Sequence, residues 1–226
     1  RMAKDTQQRS IQVYADWVKP SQPILMGILH ATRVRGKEVF SFEYADAWLK
    51  SGNVQILDPD LQLFSGQQYL NDGKNNFGIF LDSSPDRWGR VLMGRREAVL
   101  ARAEGRKART LFETDYLLGV FDGHRMGALR FKEDEDGEFL NNNKAMAAPP
   151  WTSIRELEEA SFRLEEDTDD ELKIKWLNML MAPGSSLGGA RPKASVVDTH
   201  GQLWIAKFPA KNDTKDIGAW EMVVHN

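Results

Sequence analysis

The chain has 226 residues, of which 41% are hydrophobic and 28% charged, and its formal net charge is −3 at pH 7. A chain of this length buries enough apolar surface to fold without covalent staples, and the absence of cysteine excludes disulfides, thiolate zinc sites and a thiol nucleophile. No apolar run reaches the length of a membrane-spanning helix, and the lack of cysteine fits a reducing cytosol, so we expect a cytoplasmic protein without membrane contact.

The N-terminal region alternates between apolar and polar residues. This alternation over residues 11–17 predicts a half-buried strand. Two further strands are predicted over residues 24–32 and 38–44, with Arg35-Gly36-Lys37 as the hairpin turn between them. Residues 46–76 are rich in Gly, Asn, Asp and Ser, so they are expected to be mostly loop, with room for one short helix. The region is therefore predicted to be β-rich.

A helix is predicted to begin at residues 83–86, which read Ser-Ser-Pro-Asp. A serine side chain can accept from an unpaired backbone N–H, proline suits the first helical position, and aspartate favours the positive end of the helix dipole. The helix is expected to end just before Gly105, with Trp88 on its buried face. Asp86 and Arg90 are spaced for an i,i+4 ion pair.

The middle of the chain mixes short elements. A helix is predicted over residues 114–121. Residues 126–132 and 137–140 are interpreted as two strands that pair around the acidic turn at 133–136. Residues 141–150 contain three Asn and two Pro, which indicates a linker.

Two helices are predicted after this linker. One helix covers residues 153–166, and the next begins at Thr168, where the sequence matches a capping box, and ends at Pro183-Gly184.

Residues 155–171 contain nine Asp or Glu and two Arg, whereas residues 86–109 contain eight Lys or Arg and three Asp or Glu. Both segments are expected to be solvated helix faces; the alternative is a basic patch that docks an acidic partner.

A glycine-rich stretch and a hairpin follow. Residues 184–193 contain three glycines. Strands are predicted over 194–198 and 202–208, joined by Thr199-His200-Gly201, because Gly201 supplies the positive φ of a tight turn. A last helix is predicted over residues 214–226.

A glycine-rich stretch, a hairpin and a helix, in this order, also occur in the nucleotide-binding sites of kinases. A triphosphate needs backbone N–H groups that approach closely, which glycine permits, and kinases add a strand lysine held by a glutamate on the next helix. Lys207 on the second strand and Glu221 on the following helix occupy these places. Because Lys207 lies among apolar residues, where an unpaired charge is costly to bury, it is expected to have a partner. The stretch matches neither G-x-G-x-x-G nor the Walker pattern, so a plain glycine hairpin with a surface lysine remains the alternative.

The other conspicuous residues have structural interpretations. Trp88, Trp176 and Trp204 occupy apolar positions, so they are expected in the core. His200 is expected to be exposed in its turn, and His124 to be a loop residue. No histidines or carboxylates have the spacing of a metal site, so none is predicted.

Two motifs resemble the HipA family, bacterial serine/threonine protein kinases that are the toxins of toxin–antitoxin modules. The first is residues 186–193 (SLGGARPK) followed by 204–209 (WIAKFP). The second is residues 77–90 (FGIFLDSSPDRWGR), which is similar to a motif in the family's N-terminal region. The motifs stand about 100 residues apart in the family's order, so the resemblance covers most of the chain.

The resemblance implies a phosphate loop and its regulation. The loop residues that would contact ATP phosphates are Gly188, Gly189, Ala190, Arg191, Pro192 and Lys193. Lys207 would bind the α- and β-phosphates, with Glu221 as its partner by kinase logic. Ser186, or its neighbour Ser185, falls where the family carries an autophosphorylated serine. Phosphorylation there would add about −2 charge and repel nucleotide.

The resemblance also implies the architecture. The predicted fold is α+β, with a HipA-type β-rich subdomain over 1–110, a connecting part of the N-lobe over 111–182 and the start of a kinase-like nucleotide-binding domain over 183–226. ATP and Mg²⁺ would be the cofactors of the full-length parent. The family's catalytic aspartate and metal-binding residues lie in a C-lobe expected after Asn226, so no catalytic residue is assigned here and the fragment is expected to be inactive.

Partners follow from the same resemblance. The family's protein substrates include tRNA-charging enzymes, and a DNA-binding antitoxin neutralises the toxin, so DNA would be contacted only through the antitoxin. A second hypothesis is a non-catalytic binding module that associates with the antitoxin as a corepressor, with residues 86–109 as the contact. A small-molecule or lipid kinase with a similar N-lobe is a third.

Overall fold

The computed structural model describes residues 8–17, 22–70, 73–144, 150, 153–164, 177, 180, 191–210 and 212–216. The helix expected from Thr168, the glycine-rich residues 184–190 and most of the helix expected over 214–226 therefore lie outside the described residues. Within the described ranges, no helix is both long and apolar enough to cross a lipid bilayer.

The chain forms two compact units that interleave along the sequence. One unit combines residues 1–84 with 112–142, and the other combines residues 85–111 with 143–226. The three parts predicted from the motifs are consecutive, so their bounds differ from those of the units. The functional role given to each predicted part stays a prediction.

The fold is α+β, as the sequence predicts. The described strands are β1 (Gln8–Ala15), β2 (Ile24–Val34), β3 (Lys37–Tyr44), β4 (Gln67–Tyr69), β5 (Leu129–Lys132), β6 (Lys193–Val197) and β7 (Leu203–Lys207). The described α-helices are α1 (Asp46–Leu49), α2 (Gly78–Asp82), α3 (Arg87–Ala103), α4 (Glu113–Gly119) and α5 (Ile154–Leu164). The strands form one five-stranded and one two-stranded sheet.

The first unit is built on an antiparallel sheet with strand order β4-β3-β2-β1-β5. Its β2–β3 hairpin turns at Arg35 and Gly36, where φ is 49° and 79°. A two-residue turn with positive φ at both positions matches the right-handed twist of the strands, so the predicted hairpin is confirmed.

Two strand predictions in this unit were wrong or incomplete. Residues 137–140 form no strand, and β5 pairs instead with β1, where Val13 lies opposite Phe131. The Leu140 N–H donates to the Phe131 carbonyl (2.9 Å), so these residues do approach β5. Within residues 46–76, β4 forms an edge strand, which the polar composition of this segment did not predict. Both pairings join residues that are distant in sequence, which local patterns do not encode.

Aromatic side chains form the centre of the first unit's core. The Phe80 ring lies 5.4 Å from that of Phe42, 6.0 Å from that of Phe77 and 6.3 Å from that of Phe131, measured between centroids. All four side chains are buried. Because large aromatic side chains contribute most of the apolar area in a core of this size, α2, which carries Phe80, is fixed against the sheet.

The predicted start of α3 is confirmed in position but differs in its cap. Asp86 is the N-cap, and its carboxylate accepts from the Arg87 N–H (2.7 Å). The hydroxyls of Ser83 and Ser84 donate to the Ile79 and Phe80 carbonyls, so they close the preceding helix α2. A serine hydroxyl is as good a donor to a carbonyl four residues back as it is an N-cap acceptor.

The second unit joins α3, α5 and the β6–β7 hairpin. The guanidinium of Arg95 on α3 donates to the carbonyl of Leu164 at the end of α5 (2.6 Å). This hydrogen bond from a charged donor connects α3 to α5 within the second unit. Gly105, with a φ of 65°, follows α3 as the sequence predicts.

Candidate functional site

The β6–β7 hairpin is held at its turn by Asp198. The Asp198 carboxylate accepts from the backbone N–H groups of His200 (2.8 Å) and Gln202 (2.9 Å). It also accepts from the indole N–H of Trp204 (2.9 Å), and this bond is the main reason that the pKa of Asp198 is lowered. Gly201 has a φ of 78°, as predicted, and His200 is exposed.

Lys193 and Lys207 lie directly opposite each other at the open end of this hairpin. The Phe208 N–H donates to the Pro192 carbonyl (2.9 Å), and the Asp198 N–H to the Gln202 carbonyl (3.0 Å). Hydrogen-bonded and non-hydrogen-bonded pairs alternate along an antiparallel ladder, so the two lysines form a non-hydrogen-bonded pair. Side chains are closest in such pairs, which places two cationic side chains on one face of the hairpin.

Arg191 adds a third cation two residues before the first residue of β6. Its guanidinium forms an ion pair with the carboxylate of Asp213. The same carboxylate accepts from the Ala210 N–H (2.9 Å), and the Asp213 N–H donates to the Ala210 carbonyl (2.9 Å). The loop after β7 is thereby tied to the residues that precede β6.

The backbone of Lys193 is anchored from α3. The indole N–H of Trp88 donates to the Lys193 carbonyl (3.0 Å). Trp88 is 5% exposed and Lys193 is 6% exposed, so this bond is shielded from water. The core position predicted for Trp88 is confirmed, but its contact with Lys193 had no sequence signal because 105 residues separate the two.

The second strand of the hairpin differs from prediction. Trp204 is 55% exposed, and Leu203 and Ile205 are similarly exposed, so the expected core position of Trp204 is wrong. The physical reason is that neither face of β7 is covered over these three consecutive residues, whereas β6 in the same sheet is largely buried. Lys207 is exposed as well. Its side chain is therefore not buried among the apolar residues of β7, as the sequence pattern had suggested.

Several predicted site residues lie outside the described residues. They are Ser185, Ser186, Gly188, Gly189, Ala190 and Glu221. The residues that the structure does bring together are Arg191, Pro192, Lys193 and Lys207. Over the described part of the chain, no group of three or more His, Asp or Glu side chains is arranged to hold a metal ion.

Basic residues of the segment 86–109 form hydrogen bonds and ion pairs within the second unit. The Glu97 carboxylate accepts from the Arg106 guanidinium (2.5 Å) and from the Arg109 N–H (2.9 Å). The hydrogen bond from Arg106 is the main reason that the pKa of Glu97 is lowered to about 2. For Arg90 the structure shows a hydrogen bond from its Nε to the Pro85 carbonyl (2.9 Å), and the ion pair with Asp86 stays a prediction.

Comparison with known proteins identifies no relative: no protein-family model matches the chain, and no curated protein matches it. The HipA resemblance therefore depends on the two quoted motifs. Trp88 belongs to one of these motifs and Lys193 to the other. The hydrogen bond between them joins one described residue of each motif within the second unit.

Proposed function

We propose that the open end of the β6–β7 hairpin binds the phosphates of ATP, as part of the nucleotide site of a HipA-like serine/threonine protein kinase. The observation that supports this most is the strand register that sets the exposed Lys207 opposite the buried Lys193, with Arg191 two residues before Lys193 in sequence. ATP with Mg²⁺ would supply the phosphoryl group that such a kinase transfers to a protein.

The charge arrangement favours an anion with several phosphates. Lys193 and Lys207 are like charges directly opposite each other on one sheet face, and an anion that contacted both would be attracted by both. Arg191 presents a planar guanidinium that can donate two parallel hydrogen bonds to a phosphate. A single phosphate offers less negative charge to this group than a di- or triphosphate, so a nucleotide fits it better than inorganic phosphate.

The preceding chain supplies the complementary backbone. Gly188 and Gly189 lie three and two residues before Arg191 in sequence, and glycines permit the close approach of backbone N–H groups to phosphate oxygens. We assign Lys207 to the α- and β-phosphates, Glu221 to the role of its partner, and Ser186 to regulation by autophosphorylation. A negative charge on Ser186 would oppose the phosphates for which the three cations are placed.

The wider assignments are part of the same proposal. A HipA-like kinase would act in the cytoplasm on a protein substrate such as a tRNA-charging enzyme, and a DNA-binding antitoxin would neutralise it. These assignments derive from the resemblance of residues 77–90 and 186–209.

The test is ATP binding measured by isothermal titration calorimetry. Lys207→Met removes the charge and keeps the aliphatic stem, and Lys37→Met is the matched control, since Lys37 is an exposed lysine at the end of a strand in the other unit. A charge-assisted hydrogen bond contributes about 1.5–3 kcal/mol, so Lys207→Met should raise the Kd for ATP at least tenfold while Lys37→Met leaves it unchanged. Equal affinities for the two variants would contradict the proposal.

A non-catalytic binding module is the second candidate, and one observation favours it. Residues 102–110 are all exposed and include Arg102, Arg106, Lys107 and Arg109. An acidic surface of an antitoxin could contact this segment. Arg95 is a poor probe of it, because its guanidinium holds Leu164. The Arg102→Ala/Lys107→Ala double variant should weaken the complex, whereas Lys207→Met should not; the opposite pattern would exclude this candidate.

A further inference from the structure

We infer that Trp88 is a positioning residue for this phosphate site, acting through the backbone of Lys193. The inference rests on the proposed function, because it gives a role in nucleotide binding to a side chain that lies on another element. Trp88 is the second residue of α3, and Lys193 is the first residue of β6.

The register of the hairpin explains why Lys193 needs this contact. Lys193 is in a non-hydrogen-bonded pair, so its carbonyl and N–H point away from β7. A buried carbonyl without a donor is unfavourable, and β7 cannot supply one. The indole N–H of Trp88 is that donor, at 3.0 Å. Indole has a donor and no acceptor, so the bond has a single possible direction.

The start of α3, which carries Trp88, is held by hydrogen bonds of its own. Asp86 caps the first turn of α3 through the Arg87 N–H (2.7 Å), and Arg90 Nε donates to the Pro85 carbonyl (2.9 Å). Trp88 lies between these two bonds in sequence, and its ring is buried. The indole N–H is therefore held in place by the helix start and fixes the first residue of β6 relative to α3.

The consequence concerns the distance between the two lysines. Arg191 and Pro192 lead directly from the glycine-rich stretch into Lys193. A shift of the Lys193 backbone changes its separation from Lys207 and from any phosphate shared between them. A binding site whose geometry is fixed before the ligand arrives loses less conformational entropy on binding. Trp88 is therefore expected to raise nucleotide affinity without contacting the nucleotide.

A role in core packing alone makes a different prediction. If Trp88 only fills space, its ring matters and its N–H does not. Trp88→Phe removes the N–H together with part of the buried ring system, so it is paired with β-(3-benzothienyl)alanine at position 88, which keeps the shape of tryptophan and lacks the N–H. Trp204→Phe is the matched control, because it removes an indole donor from the same hairpin at the turn, where Asp198 is the acceptor.

The experiment measures the Kd for ATP and for inorganic tripolyphosphate by calorimetry, at a temperature at which every variant is fully folded. Hydrogen exchange of the peptide that contains β6 is followed in parallel. Trp88→Phe should raise both Kd values about three- to tenfold, as expected for the loss of one buried hydrogen bond, and should speed exchange in β6. Trp204→Phe should change the Kd values less than twofold.

The outcomes separate the inference from the proposed function. Binding by the unaltered chain with an unchanged Kd in Trp88→Phe would overturn the positioning role and leave the proposed function standing. No binding by the unaltered chain would overturn the proposed function and the positioning role with it. If Trp88→Phe does not fold, β-(3-benzothienyl)alanine at position 88, which has the shape of tryptophan without its N–H, provides the same comparison.

Discussion

The Arg191 guanidinium is paired with the Asp213 carboxylate, so this cation of the candidate phosphate site has an anionic partner within the chain. Asp213 lies in the loop that follows β7 and also accepts from the Ala210 N–H (2.9 Å). A bound phosphate must therefore compete with this carboxylate for Arg191 or share the guanidinium with it.

Asp213→Asn should strengthen binding of tripolyphosphate. The amide oxygen can still accept from the Ala210 N–H, whereas the negative charge beside Arg191 is removed. We expect the Kd to fall about two- to fivefold at low salt, since ion pairs that are partly exposed contribute up to about 1 kcal/mol. Calorimetry at two salt concentrations is the measurement, and the gain should shrink at the higher one. Weaker binding by this variant at low salt would show that Asp213 supports the site.

Glu97 should make the stability of the second unit depend on pH. Its pKa is lowered to about 2, mainly by the hydrogen bond from Arg106. A depressed carboxyl pKa stabilises the folded state fully above the unfolded-state value of about 4.5, and this stabilisation is lost as the pH falls towards 2. Urea unfolding should show Glu97→Gln to be less stable than the unaltered chain by about 1–3 kcal/mol at pH 7, with the difference shrinking below pH 4.5.

Glu104→Gln is the control for this effect. Glu104 also accepts from Arg106, but its side chain is largely exposed. Exposed ion pairs contribute about 0–1 kcal/mol, so this variant should be close to the unaltered chain at every pH. A difference for Glu97→Gln that stayed constant between pH 7 and pH 3 would mean that the Glu97 carboxylate is not the source of the stabilisation.

Arg125 should be essential to the first unit. Its buried guanidinium donates to four carbonyls, those of Ser83, Leu117, Val120 and Leu140. Burial lowers its pKa to about 10, so it remains charged at neutral pH. Arg125→Met leaves these carbonyls without their donor, and we expect a loss of about 3 kcal/mol or more, measured by urea unfolding. The same replacement at the exposed Lys50 should cost less than about 0.5 kcal/mol.

A lysine substitution should destabilise the fold more on β6 than on β7. Val196 is buried on β6 and lies opposite the exposed Trp204 on β7. Val196→Lys buries an ammonium group and should destabilise by about 3 kcal/mol or more. Trp204→Lys should cost about 1 kcal/mol or less, since it loses mainly the bond to Asp198. Similar losses at the two positions, measured by thermal unfolding, would mean that β7 is covered in solution.

Local features of the fold could be predicted from the sequence. The β6–β7 turn follows from Gly201, and the ends of α3 follow from Asp86 and Gly105, because turns and caps depend on a few neighbouring residues. The facing positions of Lys193 and Lys207 follow from the turn once its register is known.

Features that depend on distant residues could not be predicted. The pairing of β5 with β1 and the bond from Trp88 to Lys193 join residues more than 100 positions apart. The exposure of Trp204 depends on whether other parts of the chain cover the faces of β7, which the pattern of Leu203, Trp204 and Ile205 does not reveal. An apolar strand has the same sequence pattern at the edge of a sheet as in its centre.

The most direct test is a double-mutant cycle on the facing lysines, with ATP affinity measured by calorimetry for the unaltered chain, Lys193→Met, Lys207→Met and the double variant. If both lysines bind the same phosphates, each single change should weaken binding about tenfold or more, and the effect of the double change should depart from the product of the single effects. Single variants that bind ATP as tightly as the unaltered chain would contradict a phosphate site at this end of the hairpin.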